Sequence, residues 1–233
     1  MKSSPLTLIA MSNALVKAGQ GLSLPEKRIV MLAISKLDSR QPITNLVPIT
    51  RITAREYADL TQCDMPTAYQ ALQSAGEQLF KRKITFHKIT KKGVITTEMR
   101  WVGRCTYQAG EGWAELAWWP ELLPCLLDLK KQFTTYHLQQ ATALRSVYSW
   151  RLMELLMRFK NSGWAEYNLK DFCNSMEATE KQRLNFANIR RRIIEPAVNE
   201  LIKKDHWNIK WFSIKEGRRV VRLKFIFSHH IRS

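Results

Sequence analysis

One order of elements occurs twice in this 233-residue chain: a long helix, a short capped helix, a polar turn, a third helix and a two-stranded ribbon. In the first half, "LSLPEKRIVMLAISKL" carries a Ser23/Glu26 capping-box pair and puts Ile29, Leu32, Ala33 and Leu37 on one face. "ITRITAREYADLTQC" offers a second box, Thr53 with Glu56, opening a short helix over Ala54–Leu60. Asp64 can cap "MPTAYQALQSAGEQLF", whose Ala68, Leu72, Ala75 and Leu79 make an apolar stripe. "KITFHKITKKGVITTEMRWVG" then reads as two β-rich runs about a Lys-Lys-Gly turn at 91–93.

The second half repeats the plan. "LQQATALRSVYSWRLMELLMRFK" reads as one long amphipathic helix, "YNLKDFCNSM" as a short one and "RLNFANIRRRIIEPAVNELIKK" as the third. "WNIKWFSIKEGRRVVRLKF" gives two runs of aromatic and β-branched residues around Glu216-Gly217. "GWAELAWWPELLPCLLDLKKQFTTY" joins the halves as a strand, a Pro-opened helix and a connector. Helix-turn-helix followed by a ribbon is the winged-helix order. The expected fold class is therefore α+β, two tandem winged-helix domains over 1–130 and 131–233.

The net charge of +17 points to a polyanionic partner. It is unevenly placed: bases concentrate in 1–110 and 181–233, while 111–180 carries slightly more acids than bases. Cys63, Cys105, Cys125 and Cys173 are scattered, with no metal-ligand or disulfide spacing. The apolar run opening "MKSSPLTLIAMSNALVKAG" is short for a signal peptide, and no run reaches the roughly 18 apolar residues of a membrane span. A cytoplasmic protein without cofactor or metal is expected.

Within the third helix of the second half, an advance of about 100° per residue gathers Phe186, Ile189, Ile193, Ala197 and Leu201 within about 120°. Asn185, Asn188, Arg191 and Arg192 fall outward, with Lys181 and Arg183 just before them. Arg190 lies nearer the apolar side, towards a phosphate or a carboxylate. Arginine reads guanine and asparagine reads adenine by paired hydrogen bonds in the major groove. Pro196 should disturb the helix where the arginine run ends, since its ring conflicts with the Arg192 carbonyl.

A run of charge is most often a solvated helix face, but here a basic ribbon follows it. Lys215, Arg218 and Arg219 stand at the ribbon tip, with Arg222 and Lys224 alternating on one face. The first half offers a less charged copy. Thr67, Gln70, Gln73 and Ser74 face outward on its third helix, Lys81, Arg82 and Lys83 follow, and Lys88, Lys91 and Lys92 mark its wing. Duplex DNA is the expected partner. Trp101, Trp118, Trp150, Trp207 and Trp211 are expected in the core, with Trp211 the single candidate for stacking on a base.

Three stretches resemble the iteron-binding replication initiators of bacterial plasmids. They are "SNALVKAGQGLSLPEKRIVMLAI", then "LLPCLLDLKKQFTTYHL" with "SVYSWRLMELL", and finally "FANIRRRIIEPAVNELI" with "WFSIKEGRRVVRLKFIF". The resemblance implies a monomer that binds origin repeats to start replication, and a homodimer, joined through the first domain, that represses its own gene at an operator. It also implies contacts with host replication proteins. It matches Arg190 to Arg192 to the family's recognition helix and Gly217-Arg218 to its wing turn. Leu15, Leu22 and Leu24 do not sustain the heptad that a zipper would need.

Two other functions fit parts of the sequence. A tandem winged-helix transcription regulator would use the same physics without replication. A DNA-nicking enzyme would need a His-hydrophobic-His pair, and His229-His230 lacks that spacing; there is no G-x-x-x-x-G-K-[ST] loop either.

Overall fold

The computed structural model describes residues 8–108 and 110–229, so His230 and the first seven residues of the leader-like stretch lie outside it. The chain divides into two units between Thr142 and Ala143, later than the expected 130/131. In the first unit, β1 (Leu8–Ser12) leads into α1 (Asn13–Lys17), where the Ser12 hydroxyl accepts the Leu15 N–H. In α2 (Leu24–Ile34), Glu26 accepts the Ser23 N–H at 2.8 Å, completing the expected capping box. The single apolar face read for α2 is too narrow. Ile29 through Ile34 are all buried, and so are Glu26 and Lys27. A helix buried on nearly every side must pair its charges: Glu26 meets Arg82 at 2.8 Å and Lys27 donates to Gln20 Oε1.

β2 (Ile49–Thr53), unseen in the sequence, runs straight into α3 (Ala54–Thr61) through the Thr53/Glu56 box. Asp64 caps α4 (Met65–Leu79) by accepting the Thr67 N–H at 2.8 Å, and Ala68, Leu72, Ala75 and Leu79 are all buried. β3 (Lys83–Thr90) and β4 (Gly93–Arg100) pair with each other as an antiparallel ribbon. β5 (Val102–Gln108) and β6 (Trp113–Trp118) join β2 in a separate sheet of order β2-β6-β5.

The helix expected at Pro120 is a 3-10 turn over Pro120–Cys125, because Pro124 removes a donor inside it. β7 (Phe133–His137) then returns to pair with β1, Tyr136 opposite Ile9, and α5 (Leu138–Thr142) follows. That pairing carries residues 133–142 into the first unit and moves the boundary.

The long helix read over 138–160 is thus two helices in different units. α6 (Val147–Met157) starts afresh at Ser146, whose hydroxyl accepts the Tyr148 N–H at 3.1 Å. β8 (Trp164–Asn168) leads into α7 (Leu169–Ser175), and α8 (Glu180–Arg183) is a single capped turn. After Asn185 the third helix runs as α9 (Phe186–Ile189), a π-helical turn (Arg190–Ile194) and α10 (Glu195–Asp205). β9 (Trp207–Glu216) and β10 (Arg219–His229) complete a sheet of order β8-β10-β9. Trp101, Trp118, Trp150 and Trp207 are core residues, and Phe172, Ile193, Leu201, Leu223 and Phe225 fill the centre of the second unit.

Candidate nucleic-acid interface

The π-turn decides how the arginine run is presented. Pro196 has no N–H to give the Arg192 carbonyl, and its ring would strike that oxygen in a regular helix. The backbone widens instead, and the Glu195 N–H bonds the Arg190 carbonyl five residues back. The disturbance therefore falls within the run, before Pro196, and the helix continues beyond it. Residues five apart point about 140° from one another in an α-helix; the wider turn makes Arg190 and Glu195 neighbours. Arg190 Nε donates to Glu195 Oε1 at 2.7 Å, and its guanidinium lies 5.9 Å from the Trp211 ring centre. Of the phosphate or carboxylate expected for it, Arg190 meets a carboxylate within the chain. Trp211 is half-buried beneath that arginine, and the Phe186 ring lies 6.4 Å from it, tilted.

Arg191 and Arg192 are exposed and have no ion pair or hydrogen bond from their side chains among the described residues. Ile193 and Ile194 pack inward behind them.

Asn185 and Asn188, expected on the outward face, and Arg183, expected just before it, all make hydrogen bonds within the chain. Asn185 is the N-cap: its backbone is extended, at φ −152°, and its side chain accepts the Asn188 N–H at 2.9 Å. The Asn188 amide donates to the Lys181 carbonyl at 3.1 Å. Arg183 donates to the carbonyls of Ala178 and Cys173 and to Asn174 Oδ1, at 2.7, 3.0 and 2.8 Å. Lys181 remains exposed. Asn185→Ala is expected to cost the second unit about 1 kcal/mol in urea unfolding, with Asn185→Ser restoring most of it. Unchanged stability together with lost DNA affinity would return Asn185 to the readers.

At the wing tip, Gly217 takes φ +60°, a left-handed turn conformation that glycine adopts without strain. Lys215, Arg218 and Arg219 stand exposed around it, without ion pairs among the described residues. Arg222 and Lys224 do alternate on one face, but β10 is the central strand, and cross-strand neighbours on β8 engage both side chains on that face. Arg222 pairs with Glu166 at 2.7 Å, and Lys224 lies over Trp164.

In the first unit Thr67, Gln70, Gln73 and Ser74 are exposed along α4, as are Lys81, Lys88, Lys91 and Lys92 beyond it. The other two basic residues of the expected group have partners: Arg82 is tied to buried Glu26, and Lys83 to Glu98 at 2.8 Å. The Thr67 hydroxyl and N–H bonds hold the Asp64 carboxyl below the usual carboxylate range, keeping a negative charge at the start of α4.

A family model for "Initiator Replication protein, WH1" matches residues 8–157, and one for "Initiator Rep protein, WH2" matches residues 168–227. The chain belongs to this family of replication initiators. Among curated proteins it is similar to the "PI protein" of Escherichia coli, 24% identical over 240 residues, covering 88% of this chain and 77% of that one. It is also similar to an "Uncharacterized 27.6 kDa protein" of Escherichia coli, 24% identical over 230 residues, covering 94% and 92%. Among solved structures it shares the fold of the Pi initiator protein, crystallised in complex with iteron DNA. That match has a TM-score of 0.82 at 22% identity and covers 97% of this chain and 99% of that one.

The arginine run and the Gly217 wing of this initiator lie in the segment matched as its second winged helix, and α4 with the β3–β4 ribbon in the first. Sequence reasoning passed over Tyr69, Tyr107 and Trp113. With Leu72, Gln73 and Gln108 they line a hollow of about 330 Å³ beside the outward face of α4. Tyr69 could have been found from its place between Thr67 and Gln70; Tyr107 carried no local signal. Among the described residues no group of His, Cys, Asp and Glu could hold a metal ion, and no helix is long and apolar enough to cross a membrane.

Proposed function

We propose that this initiator acts by sequence-specific binding to duplex repeats at a plasmid origin, with Arg191 and Arg192 in the major groove and the Lys215, Arg218 and Arg219 wing on the adjoining backbone. One observation carries the reading. These five cations of the second unit are exposed and have no partner among the described residues, while the side chains of Arg183, Arg190 and Arg222 beside them are held by acceptors of the same unit. The complex with iteron DNA of the similarly folded Pi initiator supports the same partner.

The first unit contributes Thr67, Gln70, Lys81, Lys91 and Lys92 as weaker, phosphate-weighted contacts. It also joins two copies in the dimer that represses the gene, while the monomer initiates. The protein works in the bacterial cytoplasm, where plasmid DNA and host replication proteins are found. It acts by binding and not by cutting, so magnesium or manganese with supercoiled plasmid should yield no nicked product.

Selection from a randomised duplex pool at about 150 mM salt tests the proposal, because salt damps nonspecific attraction. One motif of about two helical turns is expected, since two modules on successive groove faces lie roughly 10 base pairs apart. With about eight phosphates neutralised, log affinity should fall against log salt with a slope near −7. A one-turn motif would leave the reading to the second unit alone. No enrichment would end the proposal.

A further inference from the structure

The two ribbons of this chain end differently. The β9–β10 tip is polar and charged throughout, Lys215-Glu216-Gly217-Arg218-Arg219. The β3–β4 tip exposes aliphatic side chains: Ile89 is 69% exposed, Val94 47% and Ile95 53%. Ile89 lies opposite Val94 and Lys88 opposite Ile95, so neighbouring pairs place aliphatic side chains on both faces of the ribbon. A cross-strand aliphatic pair stabilises a hairpin, which accounts for Ile89 with Val94. It does not account for Ile95 on the other face.

The base of the ribbon is fixed. Gly19 and Thr85 exchange both backbone hydrogen bonds, at 2.9 and 2.8 Å. Beyond that bridge β3 and β4 pair only with each other among the described residues. The turn is closed by Thr90 Oγ1 donating to the Gly93 carbonyl, and nothing lies within 4 Å of where a Gly93 side chain would begin. Lys88, Lys91 and Lys92 surround the aliphatic tip, and the one acid on the ribbon, Glu98, is paired with Lys83 near its base. A ribbon tip with an apolar point and a cationic collar has the charge to meet two phosphate rails. It also has the shape to part the bases between them.

We propose that the β3–β4 ribbon is a wedge: Ile89, Val94 and Ile95 enter the minor groove and unstack one base step, while Lys88, Lys91 and Lys92 hold the flanking phosphates. Apolar side chains inserted from the minor groove unstack and kink duplexes in this way. A pyrimidine–purine step such as TA resists least. The inference rests on the reading of the chain as a duplex-DNA binder and adds to it a local distortion at the first unit's end of the site.

The test uses the full chain on its selected duplex, with permanganate reactivity of each thymine and a nuclease footprint read together. The wild-type complex should show one hyper-reactive step, several-fold above free DNA, at one end of the footprint. Ile89→Ser, Val94→Ser and Ile95→Ser combined should abolish it, leave the footprint over the other end unchanged and weaken binding less than about tenfold. Lys91→Gln with Lys92→Gln should lower affinity and flatten the salt dependence, yet keep the reactive step wherever the site is saturated. Hyper-reactivity that survives the triple substitution overturns the wedge, as does a wild-type footprint with no reactive step. A self-association defect in the triple variant with an unchanged permanganate pattern would also overturn it, making the tip a protein contact. The absence of any wild-type footprint would remove the DNA reading itself, and the wedge with it.

Discussion

Arg151→Met is expected to cost the second unit about 3–5 kcal/mol, the usual result of removing one partner from a buried ion pair. Arg151 and Glu154 are 1% and 0% exposed, one turn apart on α6, and their side chains meet at 2.8 Å. Arg151 Nε and Nη2 both donate to the Ser175 carbonyl, at 3.1 and 2.8 Å, at the last residue of α7. One side chain therefore fixes the first helix of the motif against the end of the second, just before the turn that leads to the arginine helix. Methionine fills much of the volume but supplies neither the charge nor the donors. The double variant Arg151→Met, Glu154→Leu should recover a large part of the loss, because a well-packed apolar pair often replaces a buried ion pair without net cost. Urea unfolding of the wild type, Arg151→Met, Glu154→Leu and the double variant gives the coupling energy directly. A single-variant loss under about 1 kcal/mol would show that the pair is not what holds these helices together.

What the sequence displayed and what it hid follow from the range of the interactions. Capping boxes, the Asp64 cap, the α4 stripe and both ribbons are local patterns, and they stand where their residues put them. β2 and β8 were hidden in both halves for one reason: each is a five-residue strand that passes directly into a capped helix, so the cap masks the strand before it. The break at 143–146 was hidden because Leu144 is as apolar as a continuing helix would require. The β1–β7 pairing joins segments more than a hundred residues apart, and no local pattern encodes it.

The site divides in the same way. Positions of charge were legible; their partners were not. Arg82 turns to Glu26, 56 residues away, and Arg222 turns to Glu166 at the same separation. Each is engaged by an acceptor that only the folded chain brings near, while its side chain stays partly exposed, 38% for Arg82 and 47% for Arg222. Asn185 shows a different gap. An assumed 100° advance set it on the outer face, but an N-cap has extended backbone and turns its oxygen back to the helix. The π-turn breaks the same assumption further along, burying Ile194 and Val198 beside Ile193 and Ala197.

Replacing Arg191 or Arg192 by alanine should weaken binding to the selected site by about 1–3 kcal/mol each, roughly ten- to a hundredfold. Both side chains are exposed on the widened turn, and neither gives up an internal contact when truncated, so stability should hold within about 0.5 kcal/mol. Arg190→Ala should behave in the opposite sense, releasing Glu195 and uncovering Trp211 and so disturbing the turn itself. Lysine separates reading from attraction. If a guanidinium forks onto guanine, Arg→Lys keeps the charge but loses the paired bonds, and discrimination against a substituted base pair should fall nearly as far as with alanine. If the contact is to phosphate, lysine should restore affinity for every sequence alike, and alanine should lower the salt slope by about 1. Titrations of each variant against the selected duplex and single-base variants of it, at two salt concentrations, distinguish these outcomes. Wild-type affinity in the Arg191→Ala, Arg192→Ala double variant would remove the run from the interface and leave the wing to account for binding.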